Sequence, residues 1–345
     1  MDSIVKRWIG TGRMLRLFGA AALVLLLSAC SSEFPQSTLH PTADFGERID
    51  DLFRTIFWWA LGVFVVVEAA LLFVIIKYRE RPTSKDPKHV HGSTLLELAW
   101  TLAPAVVLVF IAVPTIQTIF ETDGTPPEGA LEIEVIGHQW WWEFRYPQYG
   151  ITTANEMHVL QGRPVALSMT SADVIHSFWV PKLGGKRDLM PGRTSRLAFT
   201  PDSTGDFSGQ CAEFCGASHA NMRFRVMVED TTGFERWVRR QQAPPVPTDS
   251  LAGLIREGAA LFANPAKTCI ACHMVEGVSV GAIGPNLTHV GSRTTIASGI
   301  LPNTEEGLAR WLRDPVGEKP GSLMPKPPLD EDEITVLVAY LRSLQ

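Results

Sequence analysis

The chain has 345 residues, which at about 100–200 residues per domain leaves room for two or three units. Hydrophobic residues make up 46% and charged residues 19%, below the ~25% of an average soluble protein, which points to membrane segments and excludes disorder of the whole chain. A formal charge of −5 excludes a basic nucleic-acid-binding face, which needs clustered Lys and Arg, so no nucleic acid is expected as a partner.

At the N-terminus, Lys6, Arg7, Arg13 and Arg16 precede an apolar run from Leu17 to Leu27. A basic start, a short apolar stretch and small residues before a cut make a secretory signal over 1–29. The stretch is shorter than the ~20 residues of a membrane span. Its end, Leu27-Ser28-Ala29-Cys30, resembles a bacterial lipobox, which implies cleavage before Cys30 and lipidation of its sulfur. An ordinary signal with an incidental Cys, or an uncleaved anchor, is the alternative.

Two long apolar runs follow, and 45–120 is expected to form a transmembrane hairpin. Ile56–Ile76 is apolar except for Glu68, and Leu98–Ile119 carries no charge, so each can cross a core of ~30 Å. Lys77, Arg79, Arg81, Lys85 and Lys88 crowd the connecting loop, whereas no basic residue lies between Phe120 and Ala130. The positive-inside rule puts that loop in the cytoplasm and everything after Phe120 outside, in agreement with the exported N-terminus. Glu68, in mid-span, is a functional candidate or faces a partner subunit. Glu97 reads by itself as a first-turn acid favoured by the helix dipole. A two-helix hairpin makes a poor channel and reads better as a dock for a larger membrane partner.

From Leu131 to about Asp230 the pattern is one of strands. Leu131–Ile136 alternates apolar and polar residues, as do Met157–Leu160 and Val165–Met169. Turns at Gly150, Gly162, Gly184-Gly185 and Pro201-Asp202 divide them, predicting an antiparallel sandwich or barrel. Near its end stands Cys211-Ala-Glu213-Phe-Cys215-Gly-Ala-Ser-His219-Ala-Asn-Met222, with His176 upstream. Thiolate, imidazole and thioether together suit copper. Zinc held by two Cys and two His, or a Cys211–Cys215 disulfide, are the alternatives. In Trp140-Trp141-Trp142 three successive rings cannot all face inward. As a strand, Trp140 and Trp142 would share one face, and an exposed aromatic patch follows.

The segment resembles subunit II of the haem-copper cytochrome c oxidases. The resemblance covers 45–240 and implies a cupredoxin-like fold over 128–240 holding a dinuclear copper centre (CuA). In that family's pattern Cys211 and Cys215 bridge both coppers. His176 and Met222 complete one ion, and His219 with the Glu213 carbonyl the other. The Glu213 side chain matches a residue that binds magnesium shared with subunit I. Glu97 matches the acid at the mouth of a proton path, and Trp140 the point where electrons arrive from cytochrome c.

Gln241–Ser250 is a Pro-rich spacer, and 251–345 forms a further unit. Cys269-Ile-Ala-Cys272-His273 is the c-type haem attachment motif, offering two thioether bonds and an axial imidazole. A redox CxxC or a zinc site is the alternative. Ile283–Leu287, Gly291–Arg293 and Leu323-Met324-Pro325 resemble the loops of all-α class I cytochromes c, which implies Met324 as the sixth ligand. Met274 is too near His273 to reach the opposite haem face. Arg256–Phe262, Thr304–Arg313 and Glu331–Leu344 read as the surrounding helices.

The fold expected is therefore multidomain: a two-helix hairpin, an all-β cupredoxin-like unit and an all-α cytochrome c unit. The resemblance implies the electron inlet of a proton-pumping terminal oxidase in the bacterial inner membrane. The oxygen-reducing site would lie in subunit I, with subunit III, membrane lipid and cytochrome c or a cytochrome bc complex as further partners. A nitric oxide reductase inlet and a free-standing membrane carrier are the rivals. A nitrous oxide reductase lacks such a hairpin, and a quinol oxidase subunit lacks the copper ligands.

Overall fold

The computed structural model describes residues 19–21, 24, 34–80, 91–123, 125–246 and 250–345. Cys30 and nearly all of the signal segment lie outside the described residues, as do Arg81, Lys85, Lys88 and 247–249 of the linker.

Two helices lead. Helix α1 (Asp44–Lys77) and helix α2 (Thr94–Glu121) are both long and apolar enough to cross a membrane. Their side chains point outward, as in Val66 (69% exposed) and Leu108 (64%), because the apolar surface is meant for lipid or a partner and not for a core of its own. Trp59 stacks on Phe110 between them, with ring centroids 5.2 Å apart. Pro104 and Pro114 lie inside α2. Polar contacts tie the outer end of the hairpin together: Arg48 donates to the Glu121 carbonyl and Arg187 to that of Thr122. At the foot of α1, the Asp44 carboxylate accepts from the Thr200 amide at 2.6 Å, and Phe45 is buried beneath Gly184 and Gly185. The β domain is thus seated on the hairpin through particular contacts.

That domain is a sandwich of two five-stranded sheets. Its strands are β1 (Leu131–His138), β2 (Trp141–Tyr146), β3 (Ile151–Ala154), β4 (Glu156–Leu160), β5 (Val165–Ser171), β6 (His176–Trp179), β7 (Arg187–Leu189), β8 (Ser195–Phe199), β9 (Gly205–Cys211) and β10 (Arg223–Glu229). One sheet has the order β3-β2-β1-β5-β8 and the other β4-β10-β9-β6-β7. The alternation in Leu131-Glu-Ile-Glu-Val buries Leu131, Ile133 and Val135 against the facing sheet and leaves Glu132 and Glu134 outside. The expectation of an antiparallel sandwich is corrected in one respect. β1 pairs with β5 in parallel, as β4 does with β10, because the chain crosses between the sheets before returning to each. Helix α3 (Thr231–Gln241), capped by the Asp230 side chain on Gly233, packs Trp237 onto Tyr146.

The C-terminal domain has helices α4 (Gly253–Ala263), α5 (Cys269–Cys272), α6 (Glu305–Arg313), α7 (Pro315–Glu318) and α8 (Glu331–Ser343) around a second apolar core. The sequence dictates their starts: Thr304 caps α6, and Asp330 with Glu333 makes a reciprocal capping box on α8.

Candidate metal centre and the adjoining cleft

At one end of the second sheet β6 and β9 lie side by side, with Phe178 opposite Cys211, so His176 and Cys211 project from neighbouring strands. The chain then loops through Cys215 and a 3-10 turn at His219–Asn221 before Met222 leads into β10. The Cys211 amide donates to the Met222 carbonyl at 3.0 Å and closes the loop onto the sheet.

The ligand atoms converge. Cys211 Sγ lies 3.7 Å from Cys215 Sγ and 3.9 Å from His176 Nδ1. Cys215 Sγ lies 3.7 Å from His219 Nδ1 and 3.9 Å from Met222 Sδ, and Cys211 Sγ is 3.2 Å from the Glu213 carbonyl. His176 and both sulfurs could hold one metal ion, their donor atoms falling within 4.8 Å of one another. The sulfurs are too far apart for a disulfide, in which they would approach to about 2.05 Å. The Glu213 carboxylate is exposed and stands apart from the cluster.

Local chemistry favours a thiolate. The Cys211 thiol is held well below its ordinary range, first by its hydrogen bond with the Cys215 thiol and then by His176 and backbone groups, which outweigh burial. The Cys215 thiol moves upward for the same reason, so the two sulfurs hold one proton between them. Burial opposes charge on His176, but the hydrogen bonds with Cys211 and Asp173 prevail and raise its pKa. Asp173 holds His176 Nε2 at 2.7 Å and accepts the Gln139 amide, which leaves Nδ1 facing the sulfur. Asp173 was not singled out from sequence, although its position three residues before His176 is a usable signal.

The three tryptophans correct the expectation of an exposed patch. Trp140 sits in the turn between β1 and β2, not on a strand with Trp142. Trp142 is fully buried against Phe178 and Phe224. Trp141 stacks on His138 at 4.1 Å. Trp140 is only 9% exposed, because the C-terminal domain covers it. Its Nε1 donates to the Cys215 carbonyl at 3.1 Å, and Gln139 Nε2 donates to the same oxygen at 2.7 Å.

Trp140 and Trp141 also line a cleft of the C-terminal domain, together with Cys269, Cys272, His273 and Met324. The rest of its wall is largely apolar, including Ile283, Leu308 and Leu337, as a flat hydrophobic macrocycle requires. His273 Nδ1 lies 2.9 Å from the Pro285 carbonyl, so Nδ1 carries the proton and Nε2 is left with a free lone pair. Burial pushes the imidazole pKa down and keeps it neutral, as an axial ligand must be. Gly284 permits this packing, since a Cβ there would come within 2.6 Å of His273 Cε1. Met274 is 38% exposed and is not among the residues lining the cleft. Arg293 is half-buried in the cleft wall, and its desolvation there lowers its pKa to about 10.

In the hairpin, Glu97 occupies the first turn of α2, its amide bonded to the Ser93 carbonyl, and Glu68 is half-buried in the middle of α1.

Comparison with known proteins follows the same three parts. The family described as cytochrome c oxidase subunit II, transmembrane domain, matches residues 36–118, and the periplasmic domain of that subunit matches 150–229. The cytochrome c family matches 255–345. Cytochrome c oxidase subunit 2 of Alkalihalophilus pseudofirmus is 39% identical over 350 residues, covering 99% of both chains. That of a Bacillus species is 37% identical over 356 residues, covering 96% of this chain and 97% of the other. Among solved structures, the periplasmic domain of subunit II of cytochrome oxidase from Bradyrhizobium japonicum is 33% identical. The match covers 34% of this chain and 97% of that one, with a TM-score of 0.33.

Proposed function

The chain belongs to the cytochrome c oxidase subunit II family, and from that premise we propose a path for its electrons. As a member it is an electron-transfer component of a haem-copper terminal oxidase, spanning the inner membrane twice with its other domains outside. In our reading, electrons arrive in the C-terminal domain from cytochrome c or a cytochrome bc complex. They cross to the β domain at Trp140 and leave for the catalytic subunit I, where oxygen is reduced, with subunit III completing the assembly.

We assign Cys269 and Cys272 as the residues that would attach haem c through thioether bonds, and His273 and Met324 as those that would ligate its iron. Copper falls to His176, Cys211, Cys215, His219, Met222 and the Glu213 carbonyl. Bound there, these groups would supply one-electron couples: a haem whose potential is raised by His/Met ligation, and a copper pair sharing charge across two thiolates. The chain's own contribution is rigidity. Ligands drawn from paired strands and locked by Asp173, Gln139 and Pro285 move little when charge changes. We further infer that the exposed Glu213 carboxylate meets magnesium at the boundary with subunit I. Glu97 would feed a proton path there, and Cys30 would carry lipid.

One observation carries the reading: Trp140 bonds to the backbone of Cys215 and also lines the cleft that holds Cys269, Cys272 and His273. A single side chain joins both candidate centres.

The test is gas consumption by the complex isolated from native membranes through a tag on this chain, with reduced cytochrome c as donor. Cyanide-sensitive oxygen uptake is expected. No uptake by an intact, metal-loaded complex would overturn the reading. Nitric oxide consumption would then favour the reductase inlet, and inactivity with both gases a free-standing carrier.

A further inference from the structure

A domain on a proline-rich spacer could swing freely and meet its acceptor by collision. The contact between the two outer domains argues otherwise, because it contains two buried ionisable side chains, one contributed by each side. Glu156 opens β4 in the copper domain and is 2% exposed. Its Oε1 accepts from the Thr294 amide at 2.9 Å and hydroxyl at 2.6 Å, and from the Thr295 amide at 2.8 Å and hydroxyl at 3.0 Å, all in the C-terminal domain. Lys319 lies in the C-terminal domain and is 4% exposed. Its Nζ donates to the Trp140 carbonyl at 2.5 Å, the Ser298 hydroxyl at 2.8 Å and the Ala297 carbonyl at 3.4 Å.

We propose that Glu156 and Lys319 are positioning residues that hold the C-terminal domain in one pose on the Trp140 face, so that electrons cross a fixed contact. The inference rests on the haem and copper assignment above. An apolar interface can slide at little cost, whereas a buried charge that slides away from its partners is left unsatisfied, which is far more costly. All the partners of Glu156 lie across the boundary, and so does the acceptor nearest to Lys319. A shift of the domain therefore leaves the Glu156 carboxylate unsatisfied and takes from Lys319 its nearest acceptor, while Ser298 and Ala297 travel with it.

Lys319 acts on geometry more than on affinity. Ser298 Oγ also donates to the Trp140 carbonyl, at 2.8 Å, so that acceptor keeps a partner without the ammonium. Other cross-boundary bonds follow the same pose, from the Arg223 amide to the Ser298 carbonyl and from Ser218 Oγ to the Pro320 carbonyl. The lysine begins the segment that passes through Gly321, against the Trp140 ring, and reaches Met324 in the cleft wall. Pinning Lys319 to the Trp140 backbone therefore sets the spacing between the cleft and Cys215.

The experiment uses the complete, metal-loaded oxidase. The haem is reduced by a light flash, and arrival of the electron at copper is followed by absorption while glycerol raises the viscosity. In the unmodified protein the transfer should be a single exponential that viscosity does not change. In Glu156→Gln and Lys319→Met it should slow by about tenfold or more, on the scale that small misplacements impose, and become viscosity-dependent. Both potentials should stay in place, and Lys319→Met should melt no earlier than the unmodified protein, an outcome that a merely structural role would not give. Hydrogen exchange at Thr294 and Thr295 should rise in Glu156→Gln. Viscosity-dependent transfer in the unmodified protein would overturn the proposal whatever the variants do. So would variants that keep a fast single phase. Absence of haem or copper absorption from the unmodified protein would refute the cofactor assignment instead.

Discussion

Replacing Gly321 by Ala tests how closely the C-terminal domain must approach Trp140. Gly321 has φ +88°, and an added Cβ would lie 2.8 Å from the Ala217 Cβ and 3.2 Å from Trp140 Cη2. The left-handed backbone alone costs an L-residue about 1–2 kcal/mol. Relief of the contact requires a shift of about 1 Å to restore ordinary carbon separations, and such overpacking adds about 1–3 kcal/mol. Ala217 and Trp140 belong to the other domain, so the second cost falls on the seating of the C-terminal domain and not on its fold. Gly277→Ala is the control. It has φ +74° with nothing within 4 Å, so it bears the backbone penalty without the collision. Both variants should lower the melting temperature of the C-terminal domain, at about 4–8 °C per kcal/mol for a domain of this size. In flash experiments on the complete oxidase, Gly321→Ala should slow haem-to-copper transfer several-fold while Gly277→Ala leaves it unchanged. Equal transfer rates in the two variants would refute the claim that contact at Trp140 sets the rate.

Met324→Ala should lower the haem potential and leave the copper spectrum intact, as redox titration would register; an unchanged potential would remove Met324 from the ligand set. Glu97→Ala should slow oxygen turnover while flash-induced haem-to-copper transfer stays normal, and loss of both together would point to a structural role. Burial lowers the Lys319 pKa to about 7. The seated form therefore binds fewer protons than the separated one between about pH 7 and the ordinary lysine value. The penalty is fully present below that window and is relieved as pH rises through it, so seating should strengthen by at most about 1.4 kcal/mol per pH unit. Thermal melts across pH should show this slope in the unmodified protein and lose it in Lys319→Met.

What could be read from the chain was set by how local the physics is. The hairpin was legible because lipid demands an uninterrupted apolar run, and β1 because Leu131-Glu-Ile-Glu-Val repeats with the period of a half-buried strand. The metal cluster was legible because its donors crowd into the twelve residues from Cys211 to Met222, with His176 alone coming from elsewhere. Trp140 was misplaced because strand periodicity was extended into a turn, where alternation no longer fixes direction. Its burial depends on a domain more than a hundred residues later, which no local pattern encodes. Glu156 and Lys319 were missed for the same reason: each reads as an ordinary surface charge until the partner domain arrives. The parallel β1–β5 and β4–β10 pairings likewise follow from crossovers between sheets, which leave no mark on the strands themselves.

The covering of Trp140 bears on how this subunit is reached from outside. At 9% exposure the ring offers almost no surface to a diffusing protein, and its backbone carbonyl is already taken by Lys319 and Ser298. An external donor could reach it only by displacing the C-terminal domain, which would break the bonds of Glu156 to Thr294 and Thr295 and that of Lys319 to the Trp140 carbonyl. Meeting the C-terminal domain directly carries no such cost. In the proposed path, fusion of the two domains therefore moves the donor's contact from the β domain to the C-terminal one. The step at Trp140 becomes a property of a fixed interface, independent of donor concentration. On this reading, raising the concentration of reduced cytochrome c should speed reduction of the haem until binding saturates and leave the haem-to-copper step unchanged throughout. A copper centre that fills before the haem would place the contact back on the β domain.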